Sequence, residues 1–587
     1  MKKYYIYLCL FGASFSCDIM DKAPLDMISE DVVWEDQVLV NAYIDGIYSE
    51  LNNGLLLRDG TITESVDPTS GLSDEGRQAR AWHPLFFQWK RGLLNKSGGL
   101  LELWNYGTIR NANEFLEKIE SSPFPENEKL LMKSKVRFAR AIVYFYMVKR
   151  YGGIPLITKA QQITQPMEEL LVHRNKEIEI YDFIINEMDD IVDVLPKDVS
   201  NDQLGYPTRY AALALKSRAA LYAASIATWG KVQIDGLVGI PSSEASRFWQ
   251  ASYDASKEII ESNKFKLYNK IPEDKAENFR KLFVDENNEE VIFSRQLTGD
   301  KVGSDYDLFM QPYQFCPGWG SSNTAVYLEM VESFENIDGT SGVIDENLLT
   351  SQPWDLNELF KNKDPRFFAT IYFEGTPWRG ERVENWGGVV TEDGTKVTTG
   401  YYNGIPAQGR SYSTGDGHAG GKISGFNVKK YLDEDLNPIN AGKTKIDFIV
   451  FRYGEILLNY AEAAFELGKL NEALDAVNQI RERAGIITLN AISRDKIRQE
   501  RKIELAFEDH RYWDLRRWRI AVDAITRNFR GIYTFYDYAT GKFWIEINKD
   551  VHQGTPSVFL EEHYYLPITP DRISNNPNLA PENPGYE

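Results

Sequence analysis

Residues 452–485, RYGEILLNYAEAAFELGKLNEALDAVNQIRERAG, repeat their apolar positions at helical spacing and break once, at Leu467-Gly468. Two helices joined by so short a break fold back antiparallel, and Ala461, Ala464, Ala473 and Ala476 stand where they would touch. Such a pair cannot bury all of its apolar surface alone, so it must stack on neighbours. Candidate neighbours lie along the chain. In 130–150 an apolar face runs through Leu130, Val136, Ala139, Val143 and Met147, and Gly152-Gly153 and Pro155 end it. Comparable faces cover 176–195, closed by Pro196, and 207–229, where Pro207 suits a first helical turn and AALALKSRAALYAAS is dense in strong helix formers. A further helix is expected over about 245–262.

The pair at 452–485 resembles a tetratricopeptide unit. The expected fold is therefore mainly α, with tetratricopeptide-like helical pairs forming a superhelical half. Two stretches, 297–330 and 375–445, break the periodicity and are rich in Gly, Pro, Asn and aromatic residues. They predict an irregular, loop-rich half carrying short β-hairpins, such as VVTEDGTKVT with its Asp393-Gly394 turn. Aromatics at Tyr306, Tyr313, Phe315, Trp319, Trp378, Trp386, Tyr401 and Tyr402 argue for ordered loops, and long ordered loops commonly carry function.

The N-terminus predicts export. Lys2-Lys3 precede an apolar run from Tyr4 to Phe15, the length of a signal-peptide core and too short to span a bilayer. Small Ser14 and Ser16 lead to Cys17, which resembles a bacterial lipobox, although Ser14 departs from the usual Leu. The alternative is an ordinary signal peptide with an incidental cysteine. Residues 1–16 are expected to be a lipoprotein signal peptide. Residues 17–30 would be a lipid-anchored tether, because CDIMDKAPLDMIS has no apolar face to bury.

Charge and chemistry exclude several classes. With 66 Lys and Arg against 86 Asp and Glu the chain carries −20, which repels nucleic acid on average. Three cysteines cannot form a disulfide framework, and six histidines with no i,i+4 pair offer no zinc site, so neither metal nor cofactor is expected. Gly415, Gly417 and Gly420 spell GxGxxG without a preceding strand, and Gly421-Lys422 lacks the rest of a phosphate loop. Asp433, Asp435 and Asn437 begin like a calcium loop, but Pro438 and Thr444 occupy the turn-glycine and bidentate-Glu positions. No GxSxG elbow occurs, and His510 has no sequence-local nucleophile. A glycosidase needs two carboxylates at a set separation, and 86 acidic residues leave that pair unselected.

Several segments together resemble the SusD/RagB family of outer-membrane nutrient-binding lipoproteins. They are WNYGTIRNANEFLEKI from Trp104, ARAIVYFYMVKRYGGIPLIT, PTRYAALALKSRAALYAAS, NEEVIFS, RYGEILLNYAEAAFELG, RKIELAFEDHRYWDLRRWR from Arg501, and PITPDRISNNPNLAPENPGY. They occur in the family's order across nearly the whole chain. Asp509 stands where the family commonly has glycine, Thr569 and Arg572 replace a usual Pro and Glu, and Glu582 replaces a usual Gln. The resemblance implies a helical region over 31–270 with an inserted ligand loop. It also implies a second region over 271–587, with irregular loops at 297–445 and tetratricopeptide-like helices at 452–525, the two forming one intertwined globule. It implies a non-catalytic lipoprotein, anchored in the bacterial outer membrane and facing outward, that binds oligosaccharide or polysaccharide above a SusC-like TonB-dependent transporter. A peptide-binding relative of the same fold and a membrane-anchored glycoside hydrolase remain as alternatives.

The charges Glu500, Arg501, Glu504, Glu508, Arg511, Asp514, Arg516 and Arg517 recur at helical spacing and read as a fold-holding ion-pair network, with Trp513 and Trp518 in the core. Ligand contacts are sought in two loops instead. Aromatic faces stack on the C–H faces of sugars while polar side chains meet the hydroxyls. Residues 70–92 offer Asp74, Arg77, Arg80, Trp82 and Trp89, and residues 305–323 offer Tyr306, Tyr313, Trp319 and Asn323. Trp378, Trp386 and Tyr401 form a reserve platform.

Overall fold

The computed structural model describes residues 30–54, 69–79, 88–99, 101–299, 302–316, 322–412 and 420–586. Ten helices of one half matter here: α1 Gln37–Gly54, α2 Tyr106–Lys118, α3 Glu126–Tyr151, α4 Glu177–Ile191, α5 Arg209–Trp229, α6 Ala245–Glu261, α7 Tyr453–Glu466, α8 Leu470–Ala484, α9 Arg494–Glu504 and α10 Arg511–Arg517. They stack in sequence: α3 on α2, α4 on α3, α5 on α4, α6 on α5, α7 on α6 and α8 on α7. The chain thus leaves the stack after α6 and re-enters it at α7. One core runs through the stack and draws on residues from Trp34 to Leu579.

The local code explains the stack. Ala461, Ala464 and Ala473 are fully buried and Ala476 nearly so, which lets α7 and α8 approach closely. Helix α5 is buried on almost every side, as its lack of a polar stripe requires, and α4 and α6 cover two of those sides. Its N-cap is Thr208, whose side chain accepts from Ala211 N, so Pro207 precedes the helix rather than occupying its first turn. Helix α3 stops at Gly152, which adopts a positive φ of 71°, and α8 stops at Gly485 in the left-handed conformation.

The other half is built from short strands: β1 Gly76–Gln78, β2 Val291–Arg295, β3 Thr324–Val326, β4 Ile371–Phe373, β5 Val389–Val390, β6 Lys396–Val397, β7 Phe426–Val428, β8 Phe448–Arg452, β9 Gly531–Asp537 and β10 Phe543–Asn548. Two sheets have four strands each, in the orders β1-β3-β7-β4 and β10-β9-β5-β6, and β8 pairs with β2. The hairpin at 389–397 forms as the Asp393-Gly394 turn predicts, with Val389 opposite Val397 and Val390 opposite Lys396. Within the stretches read as loops, Tyr306–Met310 is helical and β3, β5, β6 and β7 are strands. The long hairpin β9–β10 was not foreseen.

A buried ion network joins the halves. Arg452, at the end of β8, meets Glu290, Glu504 and Glu508, each at 2.7 Å. Arg366 meets Asp364, Glu500 and Glu504 at 2.7, 2.7 and 2.9 Å, and Arg483 and Lys430 complete the cluster. Burial would push the Glu504 carboxyl up, but Arg483, Arg452 and Arg366 hold it well below the usual range. The charges of 500–517 are thus spent on the fold, with Arg501 on Asp514 at 2.8 Å, Arg517 on Glu462 at 2.6 Å, and Trp513 and Trp518 buried. Arg516 differs, since its bonded partner is the carbonyl of Tyr564. Asp509 has φ of 60°, a left-handed backbone that glycine would adopt at no steric cost.

Candidate ligand-binding site

The two loops singled out in the sequence meet on one strand pair. β1 lies antiparallel to β3, with Gly76 opposite Val326, Arg77 opposite Ala325 and Gln78 opposite Thr324. Beyond the strands, Ala79 N donates to Asn323 O at 2.6 Å. Residues 79 and 323 are therefore neighbours at one end of this strand pair. Gly76 makes this pairing possible, because a Cβ there would come within 2.6 Å of the Ala325 carbonyl oxygen.

Behind this end of the strand pair, four of the six predicted contact residues within the described residues turn inward. Asp74 is 8% exposed and grips Arg511 through two bonds of 2.8 and 2.9 Å and Lys502 at 3.1 Å. Burial alone would raise its carboxyl, yet these two cations hold it far below the usual range. The fully buried Arg77 guanidinium donates to the carbonyls of Gln78, Ala79 and Val551. Trp89 belongs to the main core and rests against Gly99. Tyr306 is buried and donates its hydroxyl to Lys430 O at 2.8 Å. Asp74, Arg77, Trp89 and Tyr306 are thus corrected from ligand contacts to parts of the frame, since their functional atoms are covered or already bonded. Arg80, Trp82, Trp319 and the lipidation candidate Cys17 lie outside the described residues.

Two candidates keep the geometry of a contact. Asn323 is fully buried immediately before β3, and neither its Nδ2 nor its Oδ1 has a hydrogen-bond partner among the described residues. A buried carboxamide without partners is costly, and a group that supplied donor and acceptor together would recover that cost. Tyr313 is half-buried, between two glutamines that stitch its segment down. Gln311 donates to Asp307 at 3.0 Å and accepts from the Trp378 indole at 2.7 Å. Gln314 donates to Arg382 O at 3.0 Å and accepts from Glu384 N at 2.8 Å and Ser411 Oγ at 2.9 Å. Of the reserve platform, Trp378 and Trp386 are buried, whereas Tyr401 is 74% exposed.

The titratable groups beneath this end of the strand pair are unusual. Burial lowers Lys90 to about 7, and its ammonium donates to the carbonyls of Ser73 and Gly76. Burial raises Glu75 to about 7, while Asp307 rises to about 6 for the same reason. These groups hold backbone: Glu75 accepts from Phe507 N and Asp307 from Asp433 N. Among the described residues no cluster of His, Cys, Asp and Glu could hold a metal ion. No helix there is long and apolar enough to cross a membrane. Sequence reasoning missed the glutamine stitches, which carry no motif. It also missed the aromatic hairpin YTFYDYATGKFW at 533–544, whose alternation was there to be read.

A stack of helix pairs bearing a sheet-braced, loop-rich half defines a scaffold that presents loops. A family model described as the SusD family matches residues 289–586, just over half of the chain, and a second, described as starch-binding associating with outer membrane, matches residues 21–221. The chain belongs to the SusD family. SusD-like protein P2 of Formosa agariphila is 23% identical over the full length of both proteins. A crystal structure of a SusD-like protein from Bacteroides fragilis, 28% identical, superposes with a TM-score of 0.73 and covers 96% of this chain and 100% of its own. Another from that organism, described as a SusD-like carbohydrate binding protein, shares the fold at 22% identity and a TM-score of 0.71, covering 94% and 100%.

Proposed function

We propose that the protein captures oligosaccharide or polysaccharide at the bacterial cell surface and passes it to a SusC-like TonB-dependent transporter without breaking a bond. The observation that carries this reading is the β1–β3 pairing, which sets Ala79 beside Asn323, a buried carboxamide whose side chain has no hydrogen-bond partner among the described residues. Family membership and the carbohydrate-binding description of a neighbour in fold support it. Asn323 and Tyr313 are the proposed contacts within the described residues, joined by Trp82, Arg80 and Trp319 from the same two loops. Lipid on Cys17 would hold the body at the outer membrane, where buried acyl chains contribute about 0.8 kcal/mol per CH₂. The acidic body would meet a complementary surface on the transporter.

Calorimetric titration against plant, host and microbial glycans tests the reading, with a parallel assay for new reducing ends. Affinity without turnover is expected. New reducing ends would make the protein a hydrolase, and binding confined to peptides would move the ligand class. Cys17→Ala should release the mature body from the membrane fraction. Mild detergent extraction of the parent should recover a large β-barrel partner with it.

A further inference from the structure

The sheet β10-β9-β5-β6 has one face on a core and one toward solvent. On the inner face Ile532 lies opposite Ile547, Thr534 opposite Ile545 and Tyr536 opposite Phe543. Ile532 and Ile545 are buried in a second core together with Val326, Phe373 and Phe426, and Tyr536 and Phe543 pack with Trp386 at 5.7 and 6.1 Å. Strand alternation then sends Tyr533, Phe535 and Trp544 outward, with Phe535 opposite Trp544 and Tyr533 opposite the exposed Glu546. Such a face ordinarily carries polar residues. Here three half-buried rings occupy it.

These rings are seated. The Trp544 indole donates to Asp537 Oδ2 at 2.6 Å. Lys396, from the outermost strand, lies 4.2 Å over the Phe535 ring and pairs with Glu546. Two glycines form the floor. A Cβ on Gly388 would stand 3.0 Å from the Phe535 ring, and one on Gly387 would stand 2.7 Å from the half-buried Tyr412. Glycine at both positions lets the two rings lie close against the backbone.

We propose that this face is a second carbohydrate platform, on which Tyr533, Phe535 and Trp544 stack the C–H faces of a neutral polysaccharide chain. The inference rests on the glycan reading above and places a separate contact on a different sheet. A protein partner would favour an interface centre depleted of charge, whereas Lys396, Glu546 and Asp537 sit among these rings, where they can meet hydroxyls. The local charges pair with each other, and the chain as a whole carries −20, so nothing draws an anionic polymer to this face. A long chain spanning both contacts gains effective concentration that a short one cannot.

Native gels cast with soluble starch, galactomannan or arabinoxylan test the proposal on the intact protein. Trp544→Ala and Tyr533→Ser should each weaken retardation by the retained polymer about five- to thirtyfold, the loss of one stacking anchor. Calorimetric binding of a three- to four-unit oligosaccharide of that polymer should stay as in the parent. Hydrogen exchange over 531–548 in the parent should slow when that polymer is added, a readout that needs no variant. Variants retarded like the parent, together with unchanged exchange, would overturn the platform while leaving the glycan reading intact. Failure of every gel and of the whole glycan panel to bind the parent would overturn both. A parent that light scattering shows to be dimeric, and that Trp544→Ala makes monomeric, would assign the face to a second copy and overturn the proposal.

Discussion

The helical half and the irregular half balance packing and polar contacts differently, since the stack rests first on an apolar core even though buried pairs such as Arg517–Glu462 lie inside it. In the stack, apolar side chains recur at helical spacing and meet the next helix, so each pair carries its own instructions. Residues 297–445 and 531–548 have no such repeat, and their short strands are braced by polar contacts between residues far apart in sequence. Arg452 reaches Glu290 and Glu504, Gln311 reaches Trp378, and Asp307 accepts from Asp433 N and Thr444 Oγ1. Packing tolerates small errors by relaxing. A buried polar network does not, because each lost partner strands another charge or dipole.

The sharpest test of this contrast is Arg452→Ala. Glu290, Glu504 and Glu508 would each lose a 2.7 Å partner at the junction of the halves, so a loss of about 3–5 kcal/mol is expected, read as a fall in denaturation midpoint. A smaller effect should follow Ala464→Leu in the stack. Overpacking the fully buried contact of α7 should cost about 1–3 kcal/mol. If Ala464→Leu proved the more damaging, the halves would not differ as described.

One pH-dependent contribution can be isolated in the irregular half. Asp307, raised by burial to about 6, binds its proton more tightly folded than unfolded. Its contribution is therefore fully present below about pH 4 and is lost as pH rises through 6. Lys90, lowered to about 7, works in the opposite sense over a different window, since its penalty is full below pH 7 and fades as pH rises towards 10. Compared with the parent in denaturation series from pH 4 to 6, Asp307→Asn should remove a contribution that falls as pH rises, on the order of 1–2 kcal/mol across the series. An unchanged slope would remove Asp307 from the account. The smallest effect belongs to Tyr401→Ala. At 74% exposure this ring should change stability by less than about 0.5 kcal/mol in thermal melts.

Much of the helical half was legible because its signals are local. Periodicity, terminating glycines and the alanines of 461–476 specify helix α3 and the pair α7–α8 within a few residues. The charges of 500–517 were also legible as fold-holding, because a dense mixture of signs on a short helical segment reads as pairing. Their partners were not, since Glu290, Arg366 and Arg452 lie in other elements. The candidate site divided the same way. Two loops could be named from composition, but an aromatic residue reads alike whether it anchors a loop or faces a ligand.

By itself the sequence determined the helical scaffold, the family and the stretches that depart from helical order, because spacing within a short window decides these. Only the tertiary structure decided that β1 pairs with β3, that Trp89 and Tyr306 are buried while Asn323 is left without partners, and that Tyr533, Phe535 and Trp544 share an outward face. Those outcomes depend on which distant segment covers each side chain. Burial is set by the whole fold, and no local pattern records it.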